Sequence, residues 1–515
     1  MSKKKITFFW LMCVLLISGC SALKKVEKKF TPPEKLQEVE LSNTYMKAHM
    51  GSGDVYVFNR WSYSETDSMI RGNAKYYNAY RDEVFEDSVN VFIADIELIE
   101  TNVTEMSGGA AALSVVTGIS LAMTTFCLLN TKACFGSCPT FYTDINDTLS
   151  VLEAEGFSAS VLPSLEATDI DALKQVSIKD SRLELRLTNE ALETHNIKYS
   201  NLLYFPHGDD KQVLATGYSE FRYASNEKIE ITITSETGNV TDLINELDDS
   251  YYYSLADSND LAVKEFLKIE VPASTDPDKQ YGIVISARQS LLSTFLFYQA
   301  LSYLGENATY VLSEVERSEG GFSERVESMN RILGDIELYT NGEKNLIGSF
   351  KETGPLATDV QVIPIPQGAD LNNLQLKLNR GHWRIDQIQL VELFDEVKPI
   401  RIQPEVYSTS KEYDELATQT LNNPSKYFTT LPGDEYYLSF TLPDSSSEGS
   451  FYLENRGYYL EWMRDEWVKE QDMTKAFEMF LRPRKMLREL APVYKEMEPE
   501  MEKIFWNSQF VSHEN

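Results

Sequence analysis

The run Leu376-Lys377-Leu378-Asn379-Arg380-Gly381-His382-Trp383-Arg384-Ile385-Asp386-Gln387-Ile388-Gln389-Leu390 places alternating apolar and polar side chains on both sides of one glycine. Period-two alternation belongs to strands with one buried face, and glycine gives the backbone freedom to reverse. The run therefore predicts two antiparallel strands around Gly381. Strand patterns of the same kind recur outward from it, over 228–234, 265–271, 334–339, 359–365, 436–442 and 450–453, and in the alternating Leu183, Leu185 and Leu187. Helical spacing is confined to 287–304, where Leu291, Leu292, Phe295, Tyr298 and Leu301 recur at three- and four-residue intervals, and to a tail over 459–480 and 484–510 that Pro483 and Pro492 interrupt. The fold class expected is mainly β, a small barrel plus β-sandwich or jelly-roll-like domains, with a hydrophobic helix near 106–131 and a helical C-terminal tail.

A closing strand pair that carries a Trp and an Asp, here Trp383 and Asp386, resembles that of jelly-roll domains similar to galactose-binding modules. The likeness concerns the fold and implies no ligand. Nearer the N-terminus, 54–63, 68–77 and 89–100 have strand character and suggest a small β-barrel-like domain over 51–105. Ile70-Arg71-Gly72 followed by Ile93-Ala94-Asp95-Ile96-Glu97 is similar to SH3-like barrels, a likeness too short to carry function. The rest divides into a β-rich domain over 132–272, a jelly-roll-like domain with inserted helices over 273–405, and a β segment with the helical tail over 406–515.

Between Glu105 and Lys132 no residue is charged. Length alone suffices for a bilayer span, but Gly108, Gly109, Ser114, Gly118 and Ser120 dilute the stretch. A helix buried among domains or lying in a leaflet fits it as well. After it, Cys138-Pro139 with Phe141 and Tyr142 leads to Glu153-Ala154-Glu155-Gly156, a region that resembles uncharacterised bacterial extracytoplasmic proteins and brings no activity with it.

At the start of the chain, Lys3, Lys4 and Lys5 precede an apolar stretch over 6–17, the pattern of a secretory leader over 1–19. The leader closes on Ile17-Ser18-Gly19-Cys20, which resembles the lipobox of bacterial lipoproteins. That resemblance implies cleavage before Cys20, a diacylglyceryl thioether on its sulfur and a palmitate-like acyl chain on its new amino group. Several chains together hold a protein stably at a membrane. Ser21 in place of Asp implies the outer membrane, on its periplasmic or surface side. Residues 20–50, with Lys24, Lys25, Lys28, Lys29 and Pro32-Pro33, read as a tether.

The chain of 515 residues carries a net charge of −31, and 42% of its residues are apolar. Several folded domains follow from the length and composition, and the acidity repels phosphate backbones, which excludes nucleic acid as a partner. Of the five cysteines, Cys134 and Cys138 sit around Gly136 at a spacing that allows a disulfide after export. It is not the Cys-x-x-Cys of disulfide oxidoreductases. With Cys127 apart and His49, His195, His207, His382 and His513 scattered, no zinc set is assembled. No cofactor is implied either.

Catalysis has few handles. There is no Gly-x-Ser-x-Gly elbow, and His207 sits among Gly208, Asp209 and Asp210 as a turn residue would. Glu153 and Glu155, two apart on a predicted strand, face one side as a glycosidase pair might. Asp144, Asn146 and Asp147 gather oxygens but lack the length and terminal Glu of an EF-hand, so they suggest a turn. The function expected is that of a lipid-anchored cell-envelope lipoprotein with a non-enzymatic binding or assembly role, its partner an envelope protein or glycan. The alternative is an extracytoplasmic carbohydrate-active or other hydrolase that uses carboxylates.

Overall fold

The computed structural model describes residues 25–31, 33, 36, 46–50, 54–64, 68–77, 83–105, 138–146, 149–217, 220–276, 278–308, 311, 332–342, 345–351, 354–443, 448–462 and 470–507. The leader, Cys20, Cys134 and the uncharged segment over 106–131 lie outside these residues. Among the described residues, no helix is long and apolar enough to cross a membrane. The fold is mainly β. It divides into two compact units, Met1–Ser120 and Leu121–Asn515.

The first unit is a six-stranded antiparallel sheet. Its strands are Lys25–Thr31, Met46–Met50, Val55–Ser64, Met69–Tyr77, Glu83–Phe92 and Ile96–Glu105, paired in the order first, sixth, second, third, fourth, fifth. Met46, Ala48 and Met50 alternate inward and join Phe58, Ile70, Ala74, Val91 and Ile99 in one core. Two sequence expectations change here. The segment read as a tether supplies two strands, because Lys25–Thr31 pairs along its length with residues 99–105. Its lysines suit an edge strand, where charge discourages further pairing. The run over 89–100 is two strands parted by the 3-10 turn Ile93–Asp95, and the pairing path ends at Lys25–Thr31 and Glu83–Phe92, an open sheet in place of the expected barrel.

The second unit holds two sandwiches. In the first, Thr140–Asn146, Leu149–Glu155, Arg182–Thr188, Glu405–Tyr407 and Glu435–Thr441 face Ala167–Leu173, Glu193–Pro206, Ile400–Ile402, Phe428–Thr430 and Gly449–Glu461. Phe141, Leu185, Leu187 and Leu438 from one sheet meet Ile197, Leu202 and Leu453 from the other. In the second, Lys211–Gly217, Glu220–Ser225, Tyr281–Gln289, Asp359–Pro364 and Trp383–Glu396 close into a barrel. One wall of it packs on Thr232–Ser235, Lys264–Glu270, Ile336–Thr340, Asn345–Phe350 and Leu374–Asn379 through Ile283, Ile285, Ile388 and Leu390 against Ile233, Leu267, Leu376 and Leu378.

The two strands around Gly381 exist, but they do not pair with each other. Leu374–Asn379 joins Lys264–Glu270 and Ile336–Thr340, whereas Trp383–Glu396 lies in the barrel between Glu220–Ser225 and Tyr281–Gln289. The chain crosses from one layer to the other, so Leu376 and Leu390 meet across the core instead of side by side. Gly381 makes the crossing at φ +75°, and a Cβ there would stand 2.6 Å from the Ala256 Cα. Only glycine adopts that backbone at no steric cost.

The second sandwich, over 211–396, is inserted between the two halves of the first. Cuts at 272 and 405 therefore do not separate its domains. Among the described residues, four helices complete the unit: Leu292–Leu304, Glu415–Leu421, Met473–Leu481 and Pro483–Asn507. Leu292, Leu296, Met479, Leu487, Leu490 and Tyr494 form the common core of the first and the last two, whereas Ala417 and Leu421 of the short helix pack into the first sandwich. The last helix runs through Pro492 and Pro499 without a break. Both prolines lie on its exposed face, where water can satisfy the carbonyls that lose an N–H partner.

Candidate functional site

Bulged strands aim the buried carboxylates of the second unit. Tyr142 pairs with Leu152 and Phe141 with Ala154, which leaves Glu153 as an extra residue. Ser286 pairs with Gln387 and Ala287 with Ile385, which does the same for Asp386. A bulge breaks the inward/outward alternation and re-aims the side chain it carries. Both carboxylates use the freedom alike, by accepting from two consecutive main-chain N–H groups. Glu153 Oε2 accepts from Lys174 N at 2.5 Å and Gln175 N at 3.1 Å. Asp386 accepts from Asp248 N at 3.1 Å and Asp249 N at 3.3 Å.

Glu155 holds a third loop. Its Oε1 accepts from Leu356 N at 2.9 Å, and a Cβ on Gly354 would stand 1.4 Å from that oxygen, so the loop reaches the carboxylate only because residue 354 is glycine. Its Oε2 is buried with no hydrogen-bond partner. Burial pushes the Glu155 carboxyl up to about 8, against the pull of the Leu356 N–H. Burial raises Glu153 and Asp386 too. Because of the bulge, Glu153 and Glu155 do not share one open side. They grip different loops, and both are fully buried. Beside them, Ala172 N donates to Asp359 Oδ1 at 3.1 Å, Phe157 N donates to Asp169 Oδ2 at 3.0 Å, and the Lys174 ammonium donates to the Thr358 carbonyl.

One charge cluster was missed in the sequence. The Glu502 carboxylate, on the last helix, lies 3.1 Å from Arg288 Nη2 and 3.0 Å from Arg384 Nε, and both arginine side chains are 7% exposed. Burial alone would raise the Glu502 carboxyl, but the two guanidinium groups overcome it and hold the group below its ordinary value. Each arginine also lies over a tyrosine ring, Arg288 5.0 Å from Tyr251 and Arg384 4.4 Å from Tyr253. Arg384 between Trp383 and Ile385 was the available hint, since a charge among core residues needs a buried partner.

The other candidates are placed as follows. Cys138 is a buried free thiol, and Cys134, its expected disulfide partner, lies outside the described residues. Burial pushes this thiol well up, with Glu193 and Glu155 adding, so it stays protonated and is not a ready nucleophile. His195 Nε2 lies 3.0 Å from Glu193 Oε1 and its Nδ1 3.2 Å from Thr430 Oγ1, both contacts wholly buried. His382 is 3% exposed, its Nδ1 has no hydrogen-bond partner, and burial drives it down to about 3. Trp383 is 2% exposed, and its indole packs edge-on against Phe350. It therefore offers no platform to a sugar. Asp144 is occupied by Ser150 and Arg186, and no group of three or more His, Cys, Asp or Glu that could hold a metal occurs among the described residues.

His207 is different. Its Nδ1 lies 2.9 Å from the Gly208 carbonyl, and its Nε2 lies 2.8 Å from Ser450 Oγ, which also accepts the Val213 N–H at 3.0 Å. The pair binds the 207–213 turn to the edge of the first sandwich. Concave surface lies elsewhere. A cleft of about 300 Å³ opens between the 271–281 and 365–372 loops, at one end of the second sandwich, with Thr275, Lys279, Tyr281, Gln367, Asp370 and Asn372 on its walls. The Thr275 hydroxyl is buried there with no hydrogen-bond partner. The cleft offers hydroxyl, amide and charged groups beside apolar surface, a lining suited to holding a ligand.

No protein-family model matches this chain, and no curated protein matches it.

Proposed function

We propose that this chain is an envelope lipoprotein, held at the outer membrane through acylated Cys20, that binds another envelope component, protein or glycan, without chemical turnover. The leader and the Ile17–Cys20 motif support the anchor. The binding role rests on one observation: Glu153, Glu155 and Asp386 are all buried and committed to loop N–H groups. Acid–base work on a sugar needs a pair of carboxylates facing one cleft; the loop cleft carries Asp370 beside Lys279, Thr275, Gln367 and Asn372, and it is the surface we assign to the partner.

A photo-crosslinking residue in place of Gln367, in intact cells, tests this reading. An adduct with one protein or glycan species is expected. Crosslinking that recovers no adduct, from this position and from Asn372, sinks the binding role. The anchor is tested separately, by mass spectrometry of the mature N-terminus and by release of Cys20→Ser into the soluble fraction.

A hydrolytic reading draws on a single contact, Ser450 Oγ at 2.8 Å from His207 Nε2. A nucleophile beside its base is the first requirement of acyl transfer. If the pair works, Ser450→Ala abolishes ester turnover and leaves the crosslinked partner unchanged.

A further inference from the structure

The corner between helices Met473–Leu481 and Pro483–Asn507 inverts the polarity of the rest of the chain. Phe477 is 58% and Leu481 62% exposed, and at i and i+4 they lie together on one helix face. Arg482, Arg484, Lys485 and Arg488 follow within the next two turns and are all exposed. Carboxylates answer some of these cations. Glu478 lies 3.8 Å from Arg482 and 2.7 Å from Lys485, Glu489 lies 3.3 Å from Lys485, and Asp260 lies 3.1 Å from Arg488. Arg484 makes no ion pair among the described residues. The four exposed cations thus outnumber the three carboxylates that answer them. In a chain of net charge −31 that excess is localised.

Three of the exposed apolar side chains elsewhere stand in acidic company. Leu416, 72% exposed, follows Glu412, Asp414 and Glu415. Leu247, 41% exposed, sits between Glu246 and Asp248, and Leu243, 52% exposed, follows Asp242. Single exposed apolar residues need no explanation. A Phe/Leu pair framed by four cations matches one kind of surface, in which apolar side chains enter the acyl boundary while basic ones meet anionic headgroups. The corner is also fixed in place. Asp472 caps the first helix, accepting from Thr474 N at 3.0 Å and Lys475 N at 3.1 Å, and its own N–H donates to Tyr303 O at 2.9 Å.

We infer that this helical corner docks on an anionic lipid surface, Phe477 and Leu481 inserting and Arg482, Arg484, Lys485 and Arg488 pairing with headgroups. The contact is independent of acylation at Cys20.

The test uses the mature chain carrying Cys20→Ser, which has no lipid of its own, in co-sedimentation with vesicles. Vesicles of phosphatidylcholine with about 30% phosphatidylglycerol should retain roughly tenfold more protein than phosphatidylcholine alone. Retention should fall as salt shortens the screening length from about 10 Å to about 3 Å. Phe477→Ser/Leu481→Ser and, separately, Arg484→Glu/Lys485→Glu should each remove most of it, with thermal melts unchanged because these side chains are exposed. Equal retention by both vesicle types, no retention by either, or variants that bind like the parent would overturn the inference. So would concentration-dependent self-association that the Phe477/Leu481 variant abolishes while vesicle binding is absent, since the patch would then belong to a second copy.

Discussion

Three acids of the sandwiches and four bases of the helical corner are placed in opposite senses. Where the sandwiches meet their loops, Glu153, Glu155 and Asp386 point inward and are met by main-chain N–H groups. At the helical corner, Arg482, Arg484, Lys485 and Arg488 point outward around Phe477 and Leu481. A buried carboxylate is tolerated only with donors at hand, so the inward acids fix loop positions. Exposed cations add little to stability and remain available to a partner. The first set explains how the fold is held and the second explains what it can touch.

The largest predicted effect breaks the pairing of Glu502 with two buried arginines. Glu502→Ala leaves Arg288 and Arg384, both 7% exposed, without their carboxylate, and should cost about 3–5 kcal/mol in denaturant unfolding. A change below about 1 kcal/mol would mean that water reaches the guanidinium groups.

Next come two buried groups with opposite pH windows. The Glu155 carboxyl lies at about 8 in the fold against 4.5 ordinarily. Between those values the folded chain keeps a proton that the unfolded chain has released, so stability falls as pH rises through the interval. Glu155→Gln keeps an oxygen for the Leu356 N–H and removes this slope, and should be stabilised at pH 8.5 relative to the parent by on the order of 2 kcal/mol, with little effect at pH 4.5. His382 lies at about 3 against 6.5 ordinarily. Here the unfolded chain takes up the proton first, so stability is full above pH 6.5 and is lost as pH falls toward 3. His382→Phe should move the acid-unfolding midpoint down and leave neutral pH nearly unchanged; a midpoint that stays in place would show that another group governs acid unfolding.

The smallest effect concerns the corner. Phe477→Ser/Leu481→Ser should change stability by less than about 0.5 kcal/mol, because neither side chain is buried. A larger loss would place these residues in the helical core and remove the contrast with the inward acids.

Strand alternation was legible in Leu183, Leu185 and Leu187 and in Leu374, Leu376 and Leu378, but not in Met46, Ala48 and Met50, whose segment read as a tether. Pairing was not legible. The reversal at Gly381 reads equally as a hairpin or as a crossing between layers, and only the core shared by Leu376 and Leu390 decides between them. Local pattern was silent about the two bulges as well, since an extra residue alters register without altering composition. Lys25–Thr31 was missed because four lysines before Pro32-Pro33 look solvated, and an edge strand tolerates them. Of the candidate residues, Glu153 and Glu155 were singled out as a pair on one open side, and their burial against different loops denies them that role. The Glu502 cluster joins positions far apart in the chain, where spacing carries no information.

The nesting of one sandwich within the other has a consequence for assembly. Glu193–Pro206 pairs along its length with Gly449–Glu461, and every residue of the inserted sandwich emerges between them. A growing chain thus presents an unmatched strand edge until its last quarter arrives, by which time the insert can already have folded. Such late closure between distant segments is slow and invites wrong partners, so closing the outer sandwich should be the slow step of folding.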